Sequence, residues 1–193
     1  MSNLLTNTNQ KIKKTGLLNG VRLFEFNLPA ISSCPFALDC IKYCYADKGS
    51  YLYKNVQDKY KYNYELTKNP LKFKDLIQKE LISKRVEYVR IHSSGDFYSM
   101  KYLKTWIDIA KNNPSVIFYG YTKSVPLFQS LELPVNFIFC FSTGGKMDHK
   151  IKPGEKKAVI FKSHEDLKKA NYTDCTENDM NMITTDKIGL VYH

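Results

Sequence analysis

VRLFEFNLPAISSCPFALDCIKYC, residues 21–44, joins an alternating apolar stretch to three closely spaced cysteines. Residues 21–28 alternate apolar and polar side chains, as a half-buried β-strand does. Pro29 and the pair Ser32-Ser33 end that strand, and the cysteines follow at once. In folds built from parallel strands, the chemistry lies at the carboxyl ends of the strands. This stretch therefore predicts a strand that delivers a cysteine loop to a functional rim.

Strand and helix patterns alternate along the rest of the chain. Strands are predicted at 86–92, 116–121, 135–141, 158–162 and 188–192, and helices at about 50–85 with a break at Asn69-Pro70, 101–112, 126–131 and 164–170. Such alternation indicates a mainly parallel sheet with helical crossovers. About six βα units fit an α/β fold with a partial (βα)6-type barrel, because a full barrel takes about 250 residues.

Composition and charge describe an ordinary globular chain. It has 193 residues, a net charge of +10 and a sequence pI near 9.2. The polar start predicts a flexible segment over 1–20 and a single domain over 21–193. No apolar run reaches the ~20 residues of a membrane span, and no secretory signal is visible, so we expect a cytoplasmic protein without membrane contact. The basic charge makes attraction to phosphate plausible.

The three cysteines Cys34, Cys40 and Cys44 lie within eleven residues. Three thiolates at one point repel each other unless a cation holds them, so the spacing predicts a metal site. Structural zinc takes four ligands, and no fourth Cys or His lies nearby in the sequence. A cubane iron–sulfur cluster on three cysteines leaves one iron open. Two alternatives stay open: zinc completed by a distant His92, His164 or Cys175, and three cysteines that are merely buried together.

Three segments carry a resemblance to known families: SCPFALDCIKYCYADKG (33–49), RIHSSGDFYS (90–99) and FYGYTKS (118–124). The strand, three-cysteine loop and helix order resembles radical S-adenosylmethionine enzymes, which share a partial barrel. In their common motif three residues separate the first two cysteines and two separate the last two; here the numbers are five and three. More closely, the segments resemble the phage gene-product-88 family. The resemblance implies a radical-SAM-like domain over 21–193, in a host cytoplasm if the chain is viral.

The same resemblance implies roles for particular residues. By this resemblance, the three cysteines would hold a [4Fe-4S] cluster whose open iron would bind S-adenosylmethionine. Ser94, Gly95 and Asp96 would form a turn that meets the cofactor's ammonium group, and Tyr45 would border its adenine. The cofactor would then supply a 5′-deoxyadenosyl radical to an unknown substrate.

Other candidates follow from the residues themselves. Arg90 and His92 alternate on the second strand, which predicts that both point into the barrel. Arg90 is a candidate to bind a carboxylate of the substrate or cofactor. His92 is more typical of a hydrogen-bonded core histidine. Lys123, at a strand end, is placed for phosphate or carboxylate. Cys140 lies in an apolar strand and is expected to be packing, whereas Cys175, in a polar loop, is expected to be a surface thiol.

Two function classes remain. The first is an iron–sulfur, radical S-adenosylmethionine-type enzyme with an unknown substrate, completed by a partner protein or a large substrate. The second is a non-catalytic iron–sulfur or zinc protein with a basic surface that binds nucleic acid. The turn at 94–96 separates them, because a catalytic site needs it opposite the cysteines and a structural cluster does not.

Overall fold

The computed structural model describes residues 3–191, which form one sheet flanked by helices. The strands are β1 Leu23–Phe26, β2 Tyr88–Ile91, β3 Ile117–Thr122, β4 Phe137–Ser142, β5 Lys157–Phe161, β6 Thr173–Asp174 and β7 Lys187–Val191. The α-helices are α1 Gln10–Asn19, α2 Lys54–Thr67, α3 Pro70–Ser83, α4 Met100–Lys111, α5 Val125–Gln129, α6 His164–Lys169 and α7 Asn181–Thr184.

The seven strands are all parallel, in the order β1-β2-β3-β4-β5-β7-β6. The sheet curls into a half-barrel, so the predicted partial barrel with a mainly parallel sheet is confirmed. Only the last step breaks the sequential order, because β6 lies outside β7 at the sheet edge. All carboxyl ends face the same rim, as a parallel sheet requires.

Two apolar clusters lie on the two faces of the sheet. The outer cluster packs strand residues such as Val89 and Phe118 against Phe73 of α3 and Trp106 of α4. The inner cluster fills the half-barrel and comprises Ile12, Leu23, Tyr119, Cys140, Ala158, Cys175, Met182 and Ile188. Apolar side chains thus occupy both faces of the sheet, and polar residues occupy the rim where the strands end.

Residues 3–20 are structured, which differs from the flexible segment expected there. Asn9 caps α1 by accepting a hydrogen bond from the backbone N–H of Lys11, and Ile12 is buried against the sheet. Leu4 and Leu5 are also buried. The sequence did not indicate this packing, because the segment is mostly polar and only a few apolar side chains anchor it.

The segment after the first strand consists of short 3₁₀ turns, at Asp39–Tyr43, Tyr45–Asp47 and Gly49–Leu52. Cys44 lies between the first two with extended backbone angles (φ −62°, ψ 109°). The expected break at Asn69-Pro70 is confirmed, since Asn69 caps α3.

Candidate functional site

The three cysteines lie on the loop that follows β1, at the carboxyl-end rim. All three thiols are partly exposed and none forms a disulfide. Burial, with the nearby charges of Asp96, Cys44 and Cys40, raises the pKa of the Cys34 thiol to about 12. Burial also raises the pKa of Cys44, while backbone donors at Ala46 and Asp47 oppose that rise. Without a cation, the Cys34 thiol is therefore protonated at neutral pH.

The turn after β2 holds the start of the cysteine loop. Ser94 accepts a backbone hydrogen bond from Leu28 N (2.9 Å), and its hydroxyl donates to Leu28 O (2.8 Å). The Ser94 N–H donates to Asn27 Oδ1 at 3.0 Å. Gly95 has φ +88°, and a Cβ there would lie 2.6 Å from both Leu28 Cβ and Ser33 Oγ. Only glycine allows this close approach.

The loop after β4 holds the middle of the cysteine loop. Cys40 N donates to Gly144 O at 3.3 Å, and Ala37 forms an antiparallel bridge with Gly145. Asp148 accepts from Gly144 N (2.7 Å) and Gly145 N (3.0 Å), so its carboxylate fixes the pair of glycines. The cysteine loop therefore crosses the end of β3 and is attached on both sides.

Asp96 ties β2 to β3 beneath the cysteines. Its carboxylate accepts three hydrogen bonds, from Thr122 Oγ1 (2.7 Å), Phe97 N (2.7 Å) and Lys123 N (2.8 Å). Burial raises its pKa, and these three donors oppose the rise. Lys123 Nζ donates to Ser142 Oγ at 2.9 Å. The predicted site residues are thus brought together with internal partners, and contact with a cofactor stays a prediction for each.

Tyr45 attaches the end of the cysteine loop to the same rim. Its hydroxyl donates a hydrogen bond to Ser93 O, next to the turn at 94–96. Its ring packs edge-on against Tyr51 with 5.9 Å between centroids, and the residue remains 58% exposed. An exposed aromatic ring at this position is compatible with the predicted contact to adenine.

The donor set fits a metal cluster, although the side chains do not form a closed shell. Among residues 3–191, no group of three or more His, Cys, Asp or Glu is arranged to hold a metal ion. The cysteines nevertheless share one loop, their thiols interact, and backbone donors face Cys44, as they do around iron–sulfur ligands. The thiols would therefore have to move toward one another in order to hold a cluster.

The distant zinc ligands considered from the sequence have other partners. His92 Nε2 lies 2.8 Å from Tyr102 Oη, and burial with the charge of Arg90 lowers its pKa to about 3. His92 packs with Phe97 against the helical layer, which agrees with a core histidine and not with a barrel-facing one. His164 Nδ1 lies 2.5 Å from Asp174 Oδ2.

Two other cysteines lie in the inner core. Cys140 is buried, as predicted. Cys175 is fully buried in the same cluster, so the prediction of a surface thiol was wrong. The polar residues around Cys175 suggested an exposed position. The backbone N–H of Cys175, however, donates to Gly189 O of β7, and this pairing directs the Cys175 side chain inward.

Arg90 faces the inside of the half-barrel, as predicted, but an acid already lies beside it. Arg90 Nε lies 3.0 Å from Asp179 Oδ2, and both side chains are buried. The angle does not suit a hydrogen bond, so Arg90 Nε and Nη1 lack acceptors among the described residues. The guanidinium also lies over the ring of Tyr121, 4.5 Å from its centroid. This pairing leaves less need for an external carboxylate than expected.

Comparison with known proteins identifies the family of this chain. The family profile described as "Gene product 88" matches residues 3–191, nearly the whole chain. The chain belongs to the gene product 88 family. The "Gene 88 protein" of Mycobacterium phage L5 is 32% identical over 102 residues, which cover 47% of this chain and 43% of that protein. This gene product 88 chain thus aligns with less than half of its phage relative. No solved structure matches it.

Two acids of this gene product 88 chain were not singled out from the sequence. Asp148 orders the glycine pair beside the cysteine loop, and Asp179 pairs with Arg90. An acid three or four residues after a Gly-Gly pair is a signal for a side chain that caps a turn. Nothing in the local sequence marks Asp179, because its partner is 89 positions away.

Proposed function

We propose that the chain holds a [4Fe-4S] cluster on Cys34, Cys40 and Cys44 and acts as a radical S-adenosylmethionine-type enzyme. The observation that carries the proposal is the attachment of one three-cysteine loop to the ends of β2 and β4, which brings Cys34, Cys40 and Cys44 to the carboxyl-end rim. Rim loops of an α/β barrel are the usual place for chemistry.

The chain's own residues would position the cluster loop. The turn at 94–96 fixes the residues before Cys34, and Gly144 fixes the backbone of Cys40. The hydrogen bonds that Asp96 accepts from Thr122 and Lys123 hold the carboxyl ends of β2 and β3 in a fixed position relative to each other. A rigid rim of this kind is what a metal site needs in order to hold its ligands in one geometry.

Cys34, Cys40 and Cys44 would hold the cluster, which, once reduced by an external electron donor, would supply the redox chemistry toward S-adenosylmethionine. Among the rim side chains, we expect the half-buried Lys123 and the exposed Tyr45 to contact such a cofactor. Lys123 carries a cation beside Ser142, and Tyr45 offers an exposed ring next to the third cysteine.

Cofactor cleavage tests the enzymatic part of the proposal. Reconstituted, reduced protein is mixed with S-adenosylmethionine, and the quenched mixture is separated by chromatography. Release of methionine and 5′-deoxyadenosine supports the proposal. Intact S-adenosylmethionine in the presence of a full, reduced cluster contradicts the enzyme and leaves a non-catalytic cluster protein. The cellular location expected for such an enzyme is the cytoplasm of the host.

A further inference from the structure

Large apolar side chains are concentrated on the surface around the cysteine loop. Six of them lie within 38–53 and are 42–64% exposed: Leu38, Ile41, Tyr43, Tyr45, Leu52 and Tyr53. Isolated exposed apolar residues are ordinary, but six within sixteen successive residues are typical of an interaction surface. We call this group the aromatic rim, since half of its members are tyrosines.

Lysines lie in the cysteine loop and in the segment after β4 that pairs with it. Four exposed lysines of these two segments have no carboxylate at ion-pair distance among the described residues: Lys48, Lys146, Lys150 and Lys152. Lys146 is fixed beside the cysteine loop, because its Nζ donates to Pro35 O at 2.9 Å and its N–H donates to Phe36 O. The cysteine loop also carries acids: Asp39, which pairs with Lys42 at 3.4 Å, and Asp47. The balance of the unpaired charges is positive.

We propose that this face binds single-stranded nucleic acid, with bases stacked on the aromatic rim and phosphates at the flanking lysines. Exposed tyrosine rings beside unpaired cations are the combination that single-strand binders use. A protein partner would match the apolar side chains but would gain little from four lysines without acid partners. The chain's net charge of +10 further favours a polyanion.

The location of the surface deepens the proposed function. Cys34, Cys40 and Cys44 lie within the loop that carries the aromatic rim, and all three are partly exposed. A strand bound across the rim therefore passes over the proposed cluster. Resting on the proposed function, the inference names single-stranded nucleic acid as the substrate class.

Fluorescence anisotropy of a labelled oligothymidylate of about 16 nucleotides tests the inference. The full chain is titrated at about 50 to 200 mM NaCl, in wild type and in a Cys34→Ser/Cys40→Ser/Cys44→Ser variant. Binding in both separates the two proposals, because the triple variant cannot hold a cluster. If the wild-type protein contains no cluster but still binds the oligonucleotide, only the proposed function is overturned.

Rim variants locate the bound strand. Tyr43→Ala and Tyr53→Ala are each expected to weaken binding about tenfold, while Tyr43→Phe and Tyr53→Phe retain it, because phenylalanine still stacks. Lys146→Gln/Lys150→Gln/Lys152→Gln is expected to reduce the salt slope by about 2, at about 0.7 per lost phosphate contact. The charge-matched control, Lys72→Gln/Lys101→Gln/Lys104→Gln, removes three exposed lysines of the helical layer and should leave binding near wild type.

Three results would overturn the inference. The first is no binding by wild type at concentrations up to about 100 μM, the weak end of non-specific affinity. The second is equal binding of a duplex of the same length, in which bases are not available for stacking. The third is equal weakening by the rim lysine variant and its helical-layer control. The first result would leave the apolar rim to a protein partner.

Discussion

Gly95 and Ser33 approach so closely that a methyl group on Gly95 would lie 2.6 Å from Ser33 Oγ. The backbone of the turn after β2 is therefore packed directly against side-chain atoms of Leu28 and Ser33, at the start of the cysteine loop. Because the loop itself contains only short 3₁₀ turns, its shape depends on contacts of this kind with the rim. Variants at the rim should disturb the cysteines without touching them.

Gly95→Ala is expected to destabilise the protein by about 2–4 kcal/mol. The reasons are steric overlap with Leu28 and Ser33, and the cost of a positive φ for a residue with a side chain. Gly154→Ala is a matched control, because Gly154 has the same φ of +88° and open space around it. It should lose only about 1–2 kcal/mol. Urea unfolding measures both; equal losses would show that the close approach is not restrictive.

Asp96→Asn should lower the free energy of unfolding by about 1–3 kcal/mol. An amide can accept from Thr122 and Phe97 with its oxygen, but its NH₂ group then faces the N–H of Lys123. Thermal unfolding measures the loss, and titration with S-adenosylmethionine of the reconstituted protein measures binding. Weaker cofactor binding at unchanged stability would mean that Asp96 contacts the cofactor and does not hold the rim.

Asp148→Ala should loosen the loop after β4. It removes two hydrogen bonds to the backbone of Gly144 and Gly145, the residues that hold Cys40 and Ala37. We expect faster amide hydrogen exchange at Cys40 and Gly145, with little change in the central strands, since opening is local. Unchanged exchange at Cys40 would show that the cysteine loop is ordered independently of this contact.

Acid should destabilise the protein through His92. Its folded pKa of about 3 lies below the ordinary value of 6.5, so stability is present above pH 6.5 and is lost as pH falls toward 3. This group contributes a loss of about 2 kcal/mol between pH 7 and pH 5, at 1.36 kcal/mol per unit. His92→Asn tolerates the positive φ of +67° and should remove that part of the slope. Identical slopes in urea unfolding would contradict the prediction.

The fold was predictable because its signals are local. Alternation in 21–28 and the Asn69-Pro70 break each describe one element, and the structure has a strand and a helix boundary there. Strand order β5-β7-β6 was not predictable, since Thr173–Asp174 is too short to show a pattern. The backbone of 94–96 was predicted as a site, but its attachment to Leu28 depends on a contact across 66 positions.

Metal analysis of anaerobically prepared protein tests the central claim most directly, that Cys34, Cys40 and Cys44 hold an iron–sulfur cluster. Iron, acid-labile sulfide and zinc are measured per chain, with absorption spectra, in wild type and in single cysteine variants. We expect about four irons and four sulfides per chain. Alanine at any of the three positions should abolish them, and Cys140→Ala, in the inner core, should not. Stoichiometric zinc without a brown chromophore, or a full cluster in Cys40→Ala, would contradict the account.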